Sequence, residues 1–242
     1  MLKIFRNARQ GQIKNKKLGN YLLYAVGEIV LVMIGILLAM QVNNWSEARK
    51  SQKQLNSILK TVLLDLQRDT LAASGVTRFY DTIKKRSDLI IQKKLNRNTH
   101  EQCLECRSLV SIYQPFIFQK KGYELLQNFS DNNNVKNDTL VTNITQFYNS
   151  FDLLIQDSNT FIKEEVLKNI QYFKQKDWFV EWSLGQTTPE MIIFFTESEE
   201  YRKMVAANDI LAGRNHKLFV SLYNQGAKEL LVKLEERLKG VE

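Results

Sequence analysis

Residues 21–42 read YLLYAVGEIVLVMIGILLAMQV, a run whose only charged residue is Glu28. At about 1.5 Å of rise per residue such a run makes roughly 33 Å of helix, enough to cross the hydrocarbon of a bilayer. A retained anchor and a cleaved secretory signal are the two readings. The apolar part of a signal is shorter and ends at a small-x-small cleavage site. This run instead leads into Asn43, Asn44, Trp45 and a charged helical pattern. The sequence therefore predicts a retained transmembrane helix over 21–42. Tyr21 and Tyr24 at one end and Trp45 at the other suit headgroup depth, where amphipathic rings settle.

The flanking charge sets a direction. Residues 1–20 carry Lys3, Arg6, Arg9, Lys14, Lys16 and Lys17 with no acidic residue. After the run come Arg49, Lys50, Lys53 and Lys60, with Glu47 among them. The positive-inside rule then keeps the tail 1–20 in the cytoplasm and sends residues 43–242 to the far side. Most of the formal net charge of +8 sits in that tail, since from Asn43 onward 28 basic residues face 25 acidic ones. No nucleic-acid partner is expected, because a basic nucleic-acid face would need its charge elsewhere.

Glu28 lies roughly 10 Å into the span, where an ionised carboxylate costs a few kcal/mol unless it is paired, protonated or hydrated. Glu28, Val32, Gly35, Ala39 and Val42 recur at helical spacing. Gly35 and Ala39 form a small-xxx-small pair on the face of Glu28, which permits close approach of another helix. Glu28 could carry protons, pair with a partner helix or line a pore. It could equally be a protonated or snorkelled carboxylate at a self-association seam.

The residues Tyr21-Leu22-Leu23-Tyr24-Ala25-Val26-Gly27-Glu28-Ile29-Val30-Leu31-Val32, continuing through Ile34-Gly35-Ile36-Leu37 to Gln41-Val42-Asn43-Asn44-Trp45, resemble the N-terminal signature of an uncharacterised membrane family of Bacteroidota. The resemblance covers about residues 15–50; the helical remainder, including 116–129 and Phe147-Tyr148, is similar only in pattern. It implies an inner-membrane anchor with a periplasmic helical domain in a Gram-negative cell. It brings no activity, cofactor or catalytic residue.

Beyond the span, 2 Pro and 10 Gly in 242 residues leave few corners for a sheet. A 4-3 alternation runs through Leu55, Leu59, Val62, Leu66, Asp69, Ala73, Val76, Tyr80, Ile83, Ser87 and Ile90, the pattern of a bundle or coiled-coil seam. It predicts one helix from the membrane to about Leu95, with Ser74-Gly75 a site for a bend. Residues 96–115 read as a distal turn, 119–129 as a shorter helix and 130–134 as a loop. A helix from near Asp138 to about Lys174 carries Leu140, Ile144, Phe147, Phe151, Leu154, Ser158 and Phe161. Trp178 to Leu184 reads as a packed loop or helical turn, and Thr188-Pro189 as a helix start. Thr196-Glu197-Ser198-Glu199 fits a capping box. It opens a long last helix with a seam of Tyr201, Val205, Asn208, Leu211, Leu218, Leu222, Leu230, Leu234 and Leu238. The expected fold is all-α: an N-terminal transmembrane helix continuing into an elongated antiparallel bundle over 43–242.

His100, Cys103 and Cys106 form the one cluster with ligand chemistry. Zinc is one reading, with Glu101 or Glu105 as a fourth ligand; free thiols are a second. A Cys103–Cys106 disulfide is favoured if the domain is periplasmic. A thioredoxin-type role would need a βαβ pattern that is absent, and the order of His and Cys excludes c-type haem attachment. His216 stands alone and is assigned no role. Trp178, Phe179 and Trp182 are read as packing rather than a ligand surface. No phosphate-binding loop, dinucleotide fingerprint, HExxH or GxSxG occurs. The expectation is a non-enzymatic membrane-anchored interaction or sensory module without cofactor. Its partners would be lipid and either another protein or further copies of itself. The alternative is a homo-oligomeric channel or stator-like subunit using Glu28.

Overall fold

The computed structural model describes residues 18–132 and 138–240. The basic tail, and Asn133 and Asn134 of the expected loop, lie outside the described residues. The chain divides into two units, Met1–Gln54 and Leu55–Glu242. Helix α1, Leu18–Ile91, contributes to both. No strand occurs among the described residues.

In the first unit α1 is long and apolar enough to cross a membrane, and none of its most apolar window is buried. Every large apolar side chain from Leu22 to Val42 is exposed, from 47% at Val30 to 80% at Leu23. Past the apolar run the surface turns polar: Asn43 Nδ2 donates to Glu47 Oε1 at 3.0 Å, and Arg49 lies over the Trp45 ring at 5.8 Å.

In the second unit the predicted seam of α1 is buried at every position from Leu55 to Ile90, including Asp69 and Ser87. Ser74 and Gly75 stay within the helix, Ser74 Oγ donating to Thr70 O at 2.7 Å. The helix ends at Ile91, and Lys93 then takes a left-handed φ of 54° while Lys94 N–H returns to Leu89 O at 2.8 Å. A 3-10 turn, His100–Ser108, follows. Next come α2, Lys121–Asn132; α3, Thr139–Phe173; α4, Phe179–Ser183; α5, Pro189–Glu197; α6, Glu199–Asn208; a π-helical stretch, Asp209–His216; and α7, Lys217–Lys239. Ser130, Asp131 and Asn132, expected in a loop, extend α2.

The helix starts follow from capping. The Asp138 side chain accepts from Leu140 N and Val141 N, and Thr188 Oγ1 accepts from Met191 N with Pro189 behind it. The expected capping box at Thr196 is not formed. Thr196 lies inside α5 and bonds back to Ile192 O, and Ser198 caps α6 by accepting from Glu200 N and Tyr201 N. Ser198 satisfies two free N–H groups there, so the helix restarts two residues later than the pattern suggested.

Two seams also differ from expectation by register. In α3 the buried stripe is Val141, Ile144, Tyr148, Ile155, Ser158, Ile162, Val166, Asn169 and Phe173, whereas Phe161 is 56% exposed. In the last helical run Leu218 and Leu222 are exposed, and the buried positions are Asn208, Ala212, His216, Val220 and Tyr223. The cause is the π-helical stretch, whose wider turn makes three successive steps of four residues where an α-helix alternates four and three.

Residues 112–120 are the main surprise. The expected distal turn ends early, and the chain then runs back through the bundle as a single extended segment with Phe116 and Phe118 buried. It is antiparallel to α1, since Gln114 meets Tyr80, Gln119 meets Asp69 and Gly122 meets Asp65. It is antiparallel to α3 as well, through Val110 with Asn169, Phe116 with Asn159 and Tyr123 with Asn149. Helix α7 runs against both α1 and α3, by the pairs Asp69–Tyr223 and Phe147–Tyr223.

An extended segment packed between helices finds no backbone partners there, so side chains must supply them. Asn159 both accepts from Phe116 N at 3.1 Å and donates to Phe116 O at 2.7 Å. Tyr80 Oη accepts from Gln114 N and donates to Gln114 O. Asp69 accepts from Gln119 N and from Tyr223 Oη, Asp65 from Gly122 N at 2.7 Å. The turn before the segment is held in the same way, Asn169 donating to Val110 O, Asn208 to Leu109 O and Tyr201 to Cys106 O.

Gly122 lies where α2 begins against α1. A Cβ there would come within 2.6 Å of Val62 N and 2.7 Å of Val62 Cα, backbone atoms that cannot swing aside. Gly122→Ala is therefore expected to destabilise the fold by about 3 kcal/mol. Gly75→Ala, in a helical site with nothing within 4 Å, is expected to stabilise it by about 0.5–1 kcal/mol. Urea unfolding followed by far-UV circular dichroism checks both; similar midpoints for the two variants would refute the close approach.

Candidate functional site

Three places carry chemistry. The first is the intramembrane face. Glu28 and Ala39 are exposed along α1, and a Cβ on Gly35 would meet nothing within 4 Å. They sit at i, i+7 and i+11 on one helix, so they share a face that the described residues leave uncovered.

The second is the interior polar cluster. Asp69 is 2% exposed and burial pushes its carboxyl up to about 6, against the opposing pull of Tyr223 and the Gln119 N–H. Burial raises the Tyr223 and Tyr148 phenols far above their ordinary range, and nearby carboxylates add to it. His216, fully buried, shares a 2.8 Å hydrogen bond between Nδ1 and Ser158 Oγ and stands edge-on to Tyr80 at 5.4 Å. Burial holds it down to about 4, weakly opposed by the Gln114 backbone. Asp69 and Tyr223 fasten the extended segment to its neighbours, whereas Tyr148 Oη and His216 Nε2 are buried without a hydrogen-bond partner among the described residues.

The third is the turn after α1. Cys103 and Cys106 are joined as a disulfide with Cα atoms 5.3 Å apart. With His100, Leu104 and Arg107 they line one side of a crevice, and Thr187, Met191, Ile192, Phe195 and Thr196 line the other. Arg107 closes one end, donating to Gly185 O at 3.2 Å and Thr187 Oγ1 at 2.6 Å. His100 Nδ1 is 2.8 Å from Arg97 O. Among the described residues no group of three or more His, Cys, Asp or Glu side chains is gathered to hold a metal ion.

Trp178, Phe179 and Trp182 belong to the core or its edge. Trp178 packs at 5.3 Å on both Phe194 and Phe195, and Trp182 stands edge-on to Phe173 at 5.3 Å. Lys176 covers the Tyr172 ring at 4.3 Å.

Residues 28–91 match the model of a family described as a family of unknown function (DUF6090). The match takes in Glu28, Gly35, Ala39 and the buried stripe of α1, and it stops short of the disulfide. No curated protein and no solved structure matches the chain.

The interior cluster makes a pH prediction. Asp69 has a folded value near 6 against 3.8 ordinarily, so its contribution to stability is complete below 3.8 and lost as pH rises through 6. His216 has a folded value near 4 against 6.5, so its contribution is complete above 6.5 and lost as pH falls through 4. The two oppose each other across the same window, each by about 2–3 kcal/mol. From about pH 6.5 to 4 the stability of wild type relative to His216→Gln should fall by that amount. Relative to Asp69→Asn it should rise. Urea midpoints of the three proteins across this range decide it, and parallel profiles would remove the argument.

Proposed function

We propose that this chain is a non-enzymatic, membrane-anchored interaction or sensory module. Its apolar helix spans the inner membrane of a Gram-negative cell of the Bacteroidota, its N-terminus is cytoplasmic and its helical bundle is periplasmic. The observation that carries the reading is the apolar stretch Leu22–Val42, exposed on every side, where the stripe of α1 from Leu55 to Ile90 is buried. Apolar surface on that scale needs a cover, and a helix of this length and composition suits lipid. The disulfide suits an oxidising compartment. The basic tail supplies the direction.

A second reading rests on Glu28. A carboxylate in the apolar stretch, on the face of Gly35 and Ala39, favours a homo-oligomer in which these residues meet across copies and the carboxylates form a polar ring. In that case Glu28→Gln and Gly35→Leu alter the cross-linking pattern in native membranes and the membrane conductance. If both variants leave both readouts unchanged, the polar ring is wrong.

Protease added to cells with a permeabilised outer membrane and a sealed inner membrane tests the anchor and its direction. The expected result is digestion of the bundle, with a carbonate-resistant fragment retaining the N-terminal residues. A soluble protein lacking its first forty or so residues, or digestion only after the inner membrane is opened, would overturn the reading.

A further inference from the structure

Within the second unit the charged residues of α1 divide by side. Its acidic residues are all committed: Asp65 and Asp69 are buried, Asp81 pairs with Lys217 and Asp88 with Lys84. Lys60, Arg68, Arg78 and Lys85 lie on the exposed side, and none of them has an ion pair among the described residues. Between these cations stand Leu64 and Leu71, 51% and 76% exposed. Lys60, Leu64, Leu71, Arg78 and Lys85 follow one another at steps of four and seven residues, which places them in one row along the helix. Beside the row, a side chain at Gly75 would meet nothing within 4 Å.

At one end the row opens into a groove against the end of α7, lined by Lys60, Leu63, Leu64, Glu235, Leu238 and Lys239. Leucines from both helices make it apolar, and its two cations outweigh the one carboxylate. An apolar row edged with cations is half of a helix-in-groove contact; the other half carries leucines at seven-residue spacing with Glu or Asp beside them. Two other occupants fit less well. A second copy of the row would set cation against cation along its length, which is destabilising. A polysaccharide or other polyanion answers the cations and leaves Leu64 and Leu71 without an apolar partner.

We propose that the outer face of α1 from Lys60 to Lys85 docks an amphipathic helix of another protein, one whose apolar stripe is flanked by carboxylates. Leu64 and Leu71 seat the stripe, and Lys60, Arg68, Arg78 and Lys85 face the carboxylates. Attraction between exposed charges is screened by salt, so the cations set register and choice of partner while the leucines supply most of the holding. This deepens the interaction-module reading by giving its partner a chemistry, and it rests on that reading for its role in the cell.

The test uses the full chain in detergent and the fluorescence anisotropy of three labelled probes. These are a helical peptide with leucine at the a and d positions of each heptad and glutamate at e and g, the same peptide with lysine for glutamate, and polyglutamate. The glutamate-leucine peptide should bind, more weakly as salt rises, and the other two should not. Leu71→Ala should weaken binding about tenfold and Arg78→Glu about fivefold at low salt, each with far-UV circular dichroism unchanged. Arg78→Glu should also gain affinity for the lysine peptide. Leu153→Ala, at an exposed leucine of α3, should change nothing. Equal binding of polyglutamate would make the face a general polyanion surface, and sedimentation showing a dimer that Leu71→Ala dissolves would make its occupant a second copy. Either result overturns the proposal, as does binding that neither α1 variant alters. Because peptide binding does not depend on the side of a membrane on which the bundle lies, it can fail while the protease result stands, and the reverse.

Discussion

The bundle depends on one constraint: an extended stretch of backbone, buried on one side through Phe116 and Phe118, packs against helices whose own backbone groups are already in use. Peptide N–H and C=O groups removed from water without partners cost more than most packing contacts return. The chain meets this with side chains placed inside otherwise apolar stripes. Asp65 and Asp69 come from α1, Asn159 and Asn169 from α3, and Asn208 from α6. Two tyrosines are buried at the core, Tyr80 with its hydroxyl turned to the same segment and Tyr201 with its hydroxyl turned to the 3-10 turn before it. The polar interior is therefore the fastening of the segment, and its unusual proton affinities follow from that burial.

Much of this architecture was legible in the residues. The apolar run of 21–42, the all-helical class and the stripe of α1 followed from spacing alone, and each α1 position from Leu55 to Ile90 assigned to the core is there. The extended segment was not legible, because its alternation of exposed Ile117 with buried Phe116 and Phe118 is only a few residues long. A signal did exist. Asp69 and Asn208 fell on apolar seams, and polar residues at such positions ask for partners that no neighbouring helix backbone can give. Reading them as isolated exceptions hid the element they serve.

The register of the last helices was lost for a different reason. A π-helical stretch adds its extra residue without a proline or a break in the helix to mark it, so the heptad pattern slides past the stretch and selects Leu218 and Leu222, which face outward. His216 lies between the positions that pattern selects, and it is buried against Ser158 and Tyr80. Of the candidate site, residue types in the turn were visible, but the opposite wall of its crevice comes from α5, about ninety residues away, and spacing cannot reveal such a meeting.

The path of residues 112–120 also bears on how the domain comes together. Helix α1 alone presents Asp65 and Asp69 within an apolar stripe, a poor surface for any one helix to collapse upon. Their partners arrive from 50 residues away at Gln119 in the extended segment, from 57 away at Gly122 in the first turn of α2, and from 154 away at Tyr223. Since none of these partnerships is complete until the chain has returned from both directions, partial assemblies gain little. Synthesis of the final helix is what makes the earlier ones worth keeping, and the domain forms as a whole or scarcely at all.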